Sequence, residues 1–170
     1  MGQARLDGIA SELGIPEPDE TPRIERVDHP AIRHLEIPLE PMVWRRAGFN
    51  KKTGQHFTEK KCRQRMDEIK LLWRGRRLEK LPAGPCGMRL EFIFEHDASH
   101  FDSAGHLLPE WIGTRPGQNK GDLDNLVKLV KDALSKVAYG DDAQVAELAA
   151  AKDWAVGGER SHTRVALWPL

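Results

Sequence analysis

The sequence predicts an α/β (α+β) fold: a mixed four-stranded sheet carrying two main helices in the order βαβαββ. Three observations carry that prediction. Several segments alternate apolar with polar residues, which is the period of a half-buried strand. Two others repeat their apolar residues every three or four positions, the period of a helix with one buried face. Strands and helices alternate before two strands follow in succession, so the sheet is mixed and the helices lie on it. With 170 residues, 39% of them hydrophobic, the chain can bury one sizeable core, enough for one domain and an appendage.

Residues 1–33 scatter Pro16, Pro18, Pro22 and Pro30 among acids with no sustained period. They are read as a flexible tail with a short helix near residues 6–13, and 34–170 as the folded domain. Leu35, Ile37 and Leu39 alternate with His34, Glu36 and Pro38, a strand that Pro38 assigns to a sheet edge or brings to its end. Residues 45–57 contain Gly48 and Gly54 and read as an exposed basic loop, after which Thr58 can cap a helix through its hydroxyl. In that helix Cys62, Met66, Ile69 and Trp73 mark one face. Gly84, Pro85 and Gly87 break the chain before the clearest strand, where Met88, Leu90, Phe92 and Phe94 alternate with Arg89, Glu91, Ile93 and Glu95. A long polar loop over 96–121 leads to the second helix, whose stripe is Leu126, Val130, Ala133, Leu134 and Val137. Residues 144–154 form a third strand, Gly157-Gly158 turns the chain, and Thr163, Val165 and Leu167 mark the last.

Charge narrows the function. Lys+Arg and Asp+Glu are equal at 26 each, but residues 45–80 hold thirteen basic residues against four acids. That surplus can face a polyanion or stand as a solvated helix face. Cys62 and Cys86 form no C-x-x-C pair, and no signal-peptide pattern or apolar run of spanning length is present. These features predict a reduced, cytoplasmic protein with no membrane partner.

The most informative stretch runs from Gly121 through Asp122-Leu-Asp124-Asn-Leu-Val-Lys128 and Asp132-Ala-Leu to Asp141-Asp142-Ala-Gln144-Val145. Asp122 and Asp124 stand at a helix start, Asp141 and Asp142 just before a strand. If the helix packs back on the sheet, both pairs meet at one end of the fold, where hard carboxylate oxygens bind Mg²⁺ or Mn²⁺. Without a cation, like charges in one site repel and raise each other's pKa. Each part also has a plain structural use: aspartate caps a helix start, Asp124 with Lys128 is an i,i+4 pair, and Gly140-Asp141-Asp142 suits a turn. An EF-hand is excluded, because its glycine position falls on Val127 and its bidentate glutamate position on Ala133. A Walker A loop, a G-x-S-x-G elbow and an H-E-x-x-H pair are all missing from the sequence. His96, His100 and His106 with Asp97 and Asp102 form a further candidate cluster, for zinc, and Trp111 a candidate base-stacking residue.

Across residues 120–148 these motifs resemble the signature of RusA-type Holliday junction resolvases. The resemblance implies a homodimeric, Mg²⁺-dependent endonuclease of recombination and repair, common in phages and prophages, acting on branched DNA. It implies Asp122, Asp124 and Asp142 as metal ligands, Lys128 as a catalytic cation, and Asp132 and Asp141 as supporting residues. Upstream, residues 34–41 are similar to the family's first strand and its proline-bearing loop. The chain departs from the family in carrying Trp44-Arg45-Arg46 and Asn50-Lys51-Lys52 there, and a weakly basic Gln118-Asn119-Lys120 before the acidic helix. Arg45, Arg46, Lys51, Lys52, Lys60, Lys61 and Lys120 are the expected DNA-backbone contacts. Two readings stay beside this one: a metal-dependent nuclease of flaps, forks or single strands, and an inactive protein that binds branched DNA.

Overall fold

The computed structural model describes residues 31–45, 48–50, 55–57 and 59–170, with 48–50 and 55–57 known by their backbone alone. One compact unit includes Asp97–Arg115, and the larger, within His29–His96 and Pro116–Leu170, carries every named strand and helix. The elements are β1 (Arg33–Ile37), β2 (Gly48–Asn50), β3 (Gln55–Phe57), α1 (Lys60–Gly75), β4 (Cys86–Phe94), α2 (Leu123–Leu134), β5 (Val145–Trp154) and β6 (His162–Pro169). The main sheet has the order β1-β6-β4-β5. Strand β5 runs parallel to β4, whereas β6 is antiparallel to both β4 and β1. This is the mixed four-stranded sheet with two helices that the periodicities predict.

Strand β4 is central because it is apolar on both faces at its end: only Arg89 and Glu91 interrupt its burial. Leu35 and Ile37 of β1 stand opposite Val165 and Thr163 of β6, which in turn stand opposite Leu90 and Phe92 of β4. All six are buried, a layer across three strands that is apolar but for Thr163. Above the sheet, α1 packs on β1 and α2, and α2 packs on β5. Cys62, Ile69 and Trp73 are buried on α1 as its spacing predicts, whereas Met66 of the same face is only half-buried. Beside the central strand, the Trp168 indole lies where a Cβ on Gly87 would stand, so that strand pair tolerates only glycine there.

Helix α2 buries Leu126, Val127, Leu129, Val130, Ala133 and Leu134. The stripe is wider than expected and ends sooner, since Val137 lies beyond the helix. Each large apolar side chain contributes roughly 1.5–3 kcal/mol on burial, against a few tenths for an exposed i,i+4 pair. Packing, not surface charge, therefore holds this helix in place.

Two expectations are corrected locally, and a third is not tested. Residues 45–57 contain the antiparallel hairpin β2–β3 rather than a plain loop. Gly48, read as part of that loop, opens β2 and pairs with Phe57, while Gly54 lies outside the described residues. Thr58 lies outside the described residues, and the residue before α1 is Glu59, which makes no side-chain capping bond. The long segment 96–121 contains three single 3₁₀ turns, at Ala98–His100, Pro109–Trp111 and Gln118–Lys120. Elsewhere the turn at Gly157 and Gly158 has the expected positive φ, 61° and 82°. The proposed tail over 1–33 falls almost wholly outside the described residues. No described helix is long and apolar enough to cross a membrane.

Candidate active site

The start of α2 is held by its neighbours. Gly121 has φ +85°, and a Cβ there would collide with the Val43 side chain, so the position demands glycine twice over. Trp44 donates its backbone N–H to the Asn125 carbonyl at 2.9 Å, tying the segment after β1 to the first turn of α2. From the other side Lys152 of β5 donates to the carbonyls of Gly117 and Gly121, at 2.8 and 2.9 Å. Asp122 occupies the N-cap position with extended backbone, yet its exposed carboxylate makes no capping bond. Asp124 stands exposed in the first turn. Both charges sit at the positive end of the helix dipole, which favours them as anions.

A pocket of about 660 Å³ opens between α2 and the start of β5, lined by Asp124, Asp132 and Asp142 together with Lys128 and Lys131. Leu123, Val127, Leu148 and Ala150 form its apolar walls. Three carboxylates thus face two ammonium groups. The Lys128 Nζ lies 3.4 Å from Asp132 Oδ2 and 4.9 Å from the centre of the Trp44 ring. It is fixed between an anion and an aromatic face. Asp142 Oδ1 is buried without a hydrogen-bond partner, one of two such side-chain atoms among the described residues. An ionised oxygen in that state is costly unless a donor or cation reaches it.

Tyr139 anchors the turn beneath the pocket, donating its hydroxyl to the Lys131 carbonyl at 2.7 Å. Burial, then the nearby carboxylate of Asp142, then Cys86, Asp132 and Asp141, push its pKa far above the usual phenol range. Its shift reports first the burial of the ring and only then the carboxylates around it. Burial likewise raises the Cys86 thiol, opposed by the charge of Lys131.

Of the expected site residues, the pocket brings together Asp124, Asp142, Lys128 and Asp132. Asp122 does not line it, and neither does Asp141. Asp141 closes a capping box around residues 142–144, accepting from the Ala143 N–H while the Gln144 side chain accepts from its own. Lys136 binds the other Asp141 oxygen at 2.9 Å, and that hydrogen bond holds the Asp141 carboxyl below its ordinary pKa. Among the described residues no three His, Cys, Asp or Glu side chains stand grouped so as to hold a metal ion. The zinc candidate has no support: His96 stacks on Trp154, His100 on Trp111, and His106 pairs with Asp102 at 3.3 Å. Trp111 is engaged by that stack rather than presented to solvent on both faces.

Of the expected DNA contacts, Lys60 and Lys61 are exposed at the start of α1, and Arg45 is exposed while pairing with Glu59 at 3.6 Å. Lys120 sits over the Trp154 ring at 5.7 Å. Arg46, Lys51 and Lys52 lie outside the described residues. Three residues were missed by sequence reasoning: Trp44, Lys131 and Lys152. For Lys131 a signal existed, because it stands three positions after Lys128 and so on the same side of the helix. Trp44 and Lys152 reach the site only through chain distant in sequence.

The family profile described as Endodeoxyribonuclease RusA matches residues 38–167, from the end of β1 to the last strand. The chain belongs to the RusA endodeoxyribonuclease family. In RusA terms the matched span contains both main helices, the acidic pocket, strands β4 and β5 and most of β6, and it begins just after β1. Membership places the chain among hydrolases that cut DNA within the strand and implies resolution of Holliday junctions. No curated protein matches the chain.

Proposed function

We propose that this protein is a Mg²⁺-dependent endodeoxyribonuclease, with Mn²⁺ as a substitute ion, that resolves Holliday junctions by paired nicks during DNA recombination and repair. In this reading residues 34–170 form the nuclease domain of a homodimer, encoded by a bacterium or phage and acting in the cytoplasm. The observation that carries it is the pocket lined by Asp124, Asp132 and Asp142 beside Lys128, together with the buried Asp142 Oδ1 that has no hydrogen-bond partner. Such a donor set is hard oxygen throughout and fits Mg²⁺ chemistry.

Asp122, Asp124 and Asp142 would hold the ion, with Asp132 and Asp141 supporting. When bound, it polarises the scissile phosphate and lowers the pKa of an attacking water. The chain's own groups do the rest. Lys128, steadied by Trp44 and Asp132, offers positive charge to the phosphate as negative charge builds on its oxygens. Lys131 adds a second ammonium to the same wall. Helix α2 arrives as a rigid unit with its start clamped on both sides, so its aspartates hold their spacing without a further entropic cost. Arg45, Arg46, Lys51, Lys52, Lys60, Lys61 and Lys120 would grip backbone phosphates, giving affinity without reading bases. A two-fold dimer matches the two-fold symmetry of a junction and permits symmetrical nicks.

Purified protein is incubated with a synthetic four-way junction, Mg²⁺ and an EDTA control, beside flap, fork and single-stranded DNAs. Paired nicks in the junction alone, abolished by EDTA, are expected. In Asp124→Asn cleavage falls on the order of 100-fold or more, while junction binding is equal or tighter because a negative charge near phosphate is gone. Preferential cutting of flaps or forks would favour the second nuclease reading, and junction binding without nicking would favour the inactive one.

A further inference from the structure

Lys152 takes no part in the chemistry proposed above, yet its ammonium is spent entirely on the backbone that precedes the acidic helix. It lies half-buried on β5, in register with Phe92 of β4, and reaches across to two carbonyls four residues apart. Those carbonyls belong to Gly117 and Gly121, the residues that bracket the 3₁₀ turn Gln118–Lys120. The turn ends directly at Asp122, whose carbonyl begins the helix by accepting from Leu126 at 3.1 Å. The same strand carries Trp154 under Lys120, and at its other end β5 emerges from the turn that holds Asp142. One strand therefore connects the two halves of the acidic motif.

We infer that Lys152 is the positioning residue for the proposed metal ligands, setting Asp122 and Asp124 at a fixed offset from Asp142. Removing an ammonium that satisfies two carbonyls leaves the turn free to shift. A shift of even 1 Å in one ligand pair weakens a site that needs both pairs together. The effect is specific, because α2 itself stays packed through its apolar face. This inference rests on the function proposed above.

The test uses the full chain with Mn²⁺ alone as probe, its binding followed by electron paramagnetic resonance without DNA. Lys152→Met is expected to weaken Mn²⁺ binding by roughly 10–100-fold, the loss typical when a group that orients ligands is removed. The Mg²⁺ concentration for half-maximal junction cleavage rises in parallel, junction affinity in EDTA is unchanged, and Lys152→Arg recovers most of the ion affinity. Wild-type Mn²⁺ affinity in a folded Lys152→Met chain overturns the inference and leaves the proposed function intact. Should the methionine variant fail to fold, Lys152→Gln takes its place, and failure of both to fold would show a purely structural residue. If the unaltered chain neither binds Mn²⁺ nor cleaves, it is the proposed function that fails, and this inference with it.

Discussion

Lys128 shows how little a surface pair says until its surroundings are known. In isolation it is an i,i+4 partner of Asp132, half-exposed and worth about 0.5 kcal/mol at most. In the folded chain the same ammonium also lies on the Trp44 ring and on the wall of a pocket with two further carboxylates. The expected consequence is a split between stability and turnover. Lys128→Ala should change the melting temperature by no more than a degree or two while lowering the cleavage rate at saturating DNA by on the order of 100-fold. Calorimetric melting and single-turnover cleavage check it. A large melting shift with unchanged turnover would make Lys128 a structural residue. Asp142 teaches the complementary point. By composition alone Gly140-Asp141-Asp142 is a turn with two acids, and the fold gives each a different setting. One caps the turn and pairs with Lys136, and the other lines the pocket while its Oδ1 is buried without a hydrogen-bond partner.

At the scale of the element, α2 and the turn that ends it behave as one part. The helix stops at Leu134 with Ser135 extended, and Lys136 then takes a positive φ of 67°. Ala138 and Tyr139 return to the core, where the tyrosine hydroxyl reaches back to the helix and Leu81 N–H binds the Ala138 carbonyl at 2.8 Å. Tyr139 is the chain's single tyrosine, so tyrosinate absorbance reports it alone. Its raised pKa means that the folded state keeps the proton after an unfolded chain has lost it. The stability this contributes is complete below the ordinary value of 10.0 and declines as pH rises above it. A pH titration should show no tyrosinate until the protein unfolds, and melting temperature should fall steadily above that value. Tyr139→Phe should flatten that alkaline slope, at a cost of about 1 kcal/mol at neutral pH for the lost hydrogen bond. Early appearance of tyrosinate in folded protein would contradict the burial.

For the molecule as a whole, equal numbers of acidic and basic residues hide a strong asymmetry along the chain. The acids that matter gather at α2 and the turn before β5, and the basic surplus lies in residues 45–80. Reversing Lys51 and Lys52 to Glu should weaken binding to every DNA form and lower the slope of log affinity against log salt by about two, close to one per lost phosphate contact. Unchanged binding and slope would remove that segment from the interface. The domain boundary proposed at residue 34 makes a further claim. A chain lacking residues 1–30 should melt cooperatively and still nick a junction, because the family match begins at residue 38. An insoluble or inactive product would place part of the folded domain inside that segment.

Local pattern was enough to read the two main helices, the four strands of the main sheet and the acidic motif, but not the β2–β3 hairpin. Alternation in 88–94 and 163–167 and the three-four spacing in α1 register which residues leave water, and burial dominates the energy of each element. The motif from Asp122 to Gln144 was equally legible, since its spacing is contained in one helix and the turn after it. Where α2 buries more than its stripe suggests, as at Val127 and Leu129, the reason is contact with β5 and α1, which no helical period encodes. The pocket's membership followed the same division. Asp124, Lys128 and Asp132 share one side of α2 by spacing alone, but Asp142 joins them in the pocket, and Trp44 and Lys152 brace the helix beside it, only because strand register and a glycine without room for a Cβ bring distant chain together. Local sequence decides helix, strand and ligand chemistry through short-range sterics and periodicity. Which carboxylate is left bare and which ammonium is pinned depends on contacts between segments tens of residues apart, and those exist only once the core has closed.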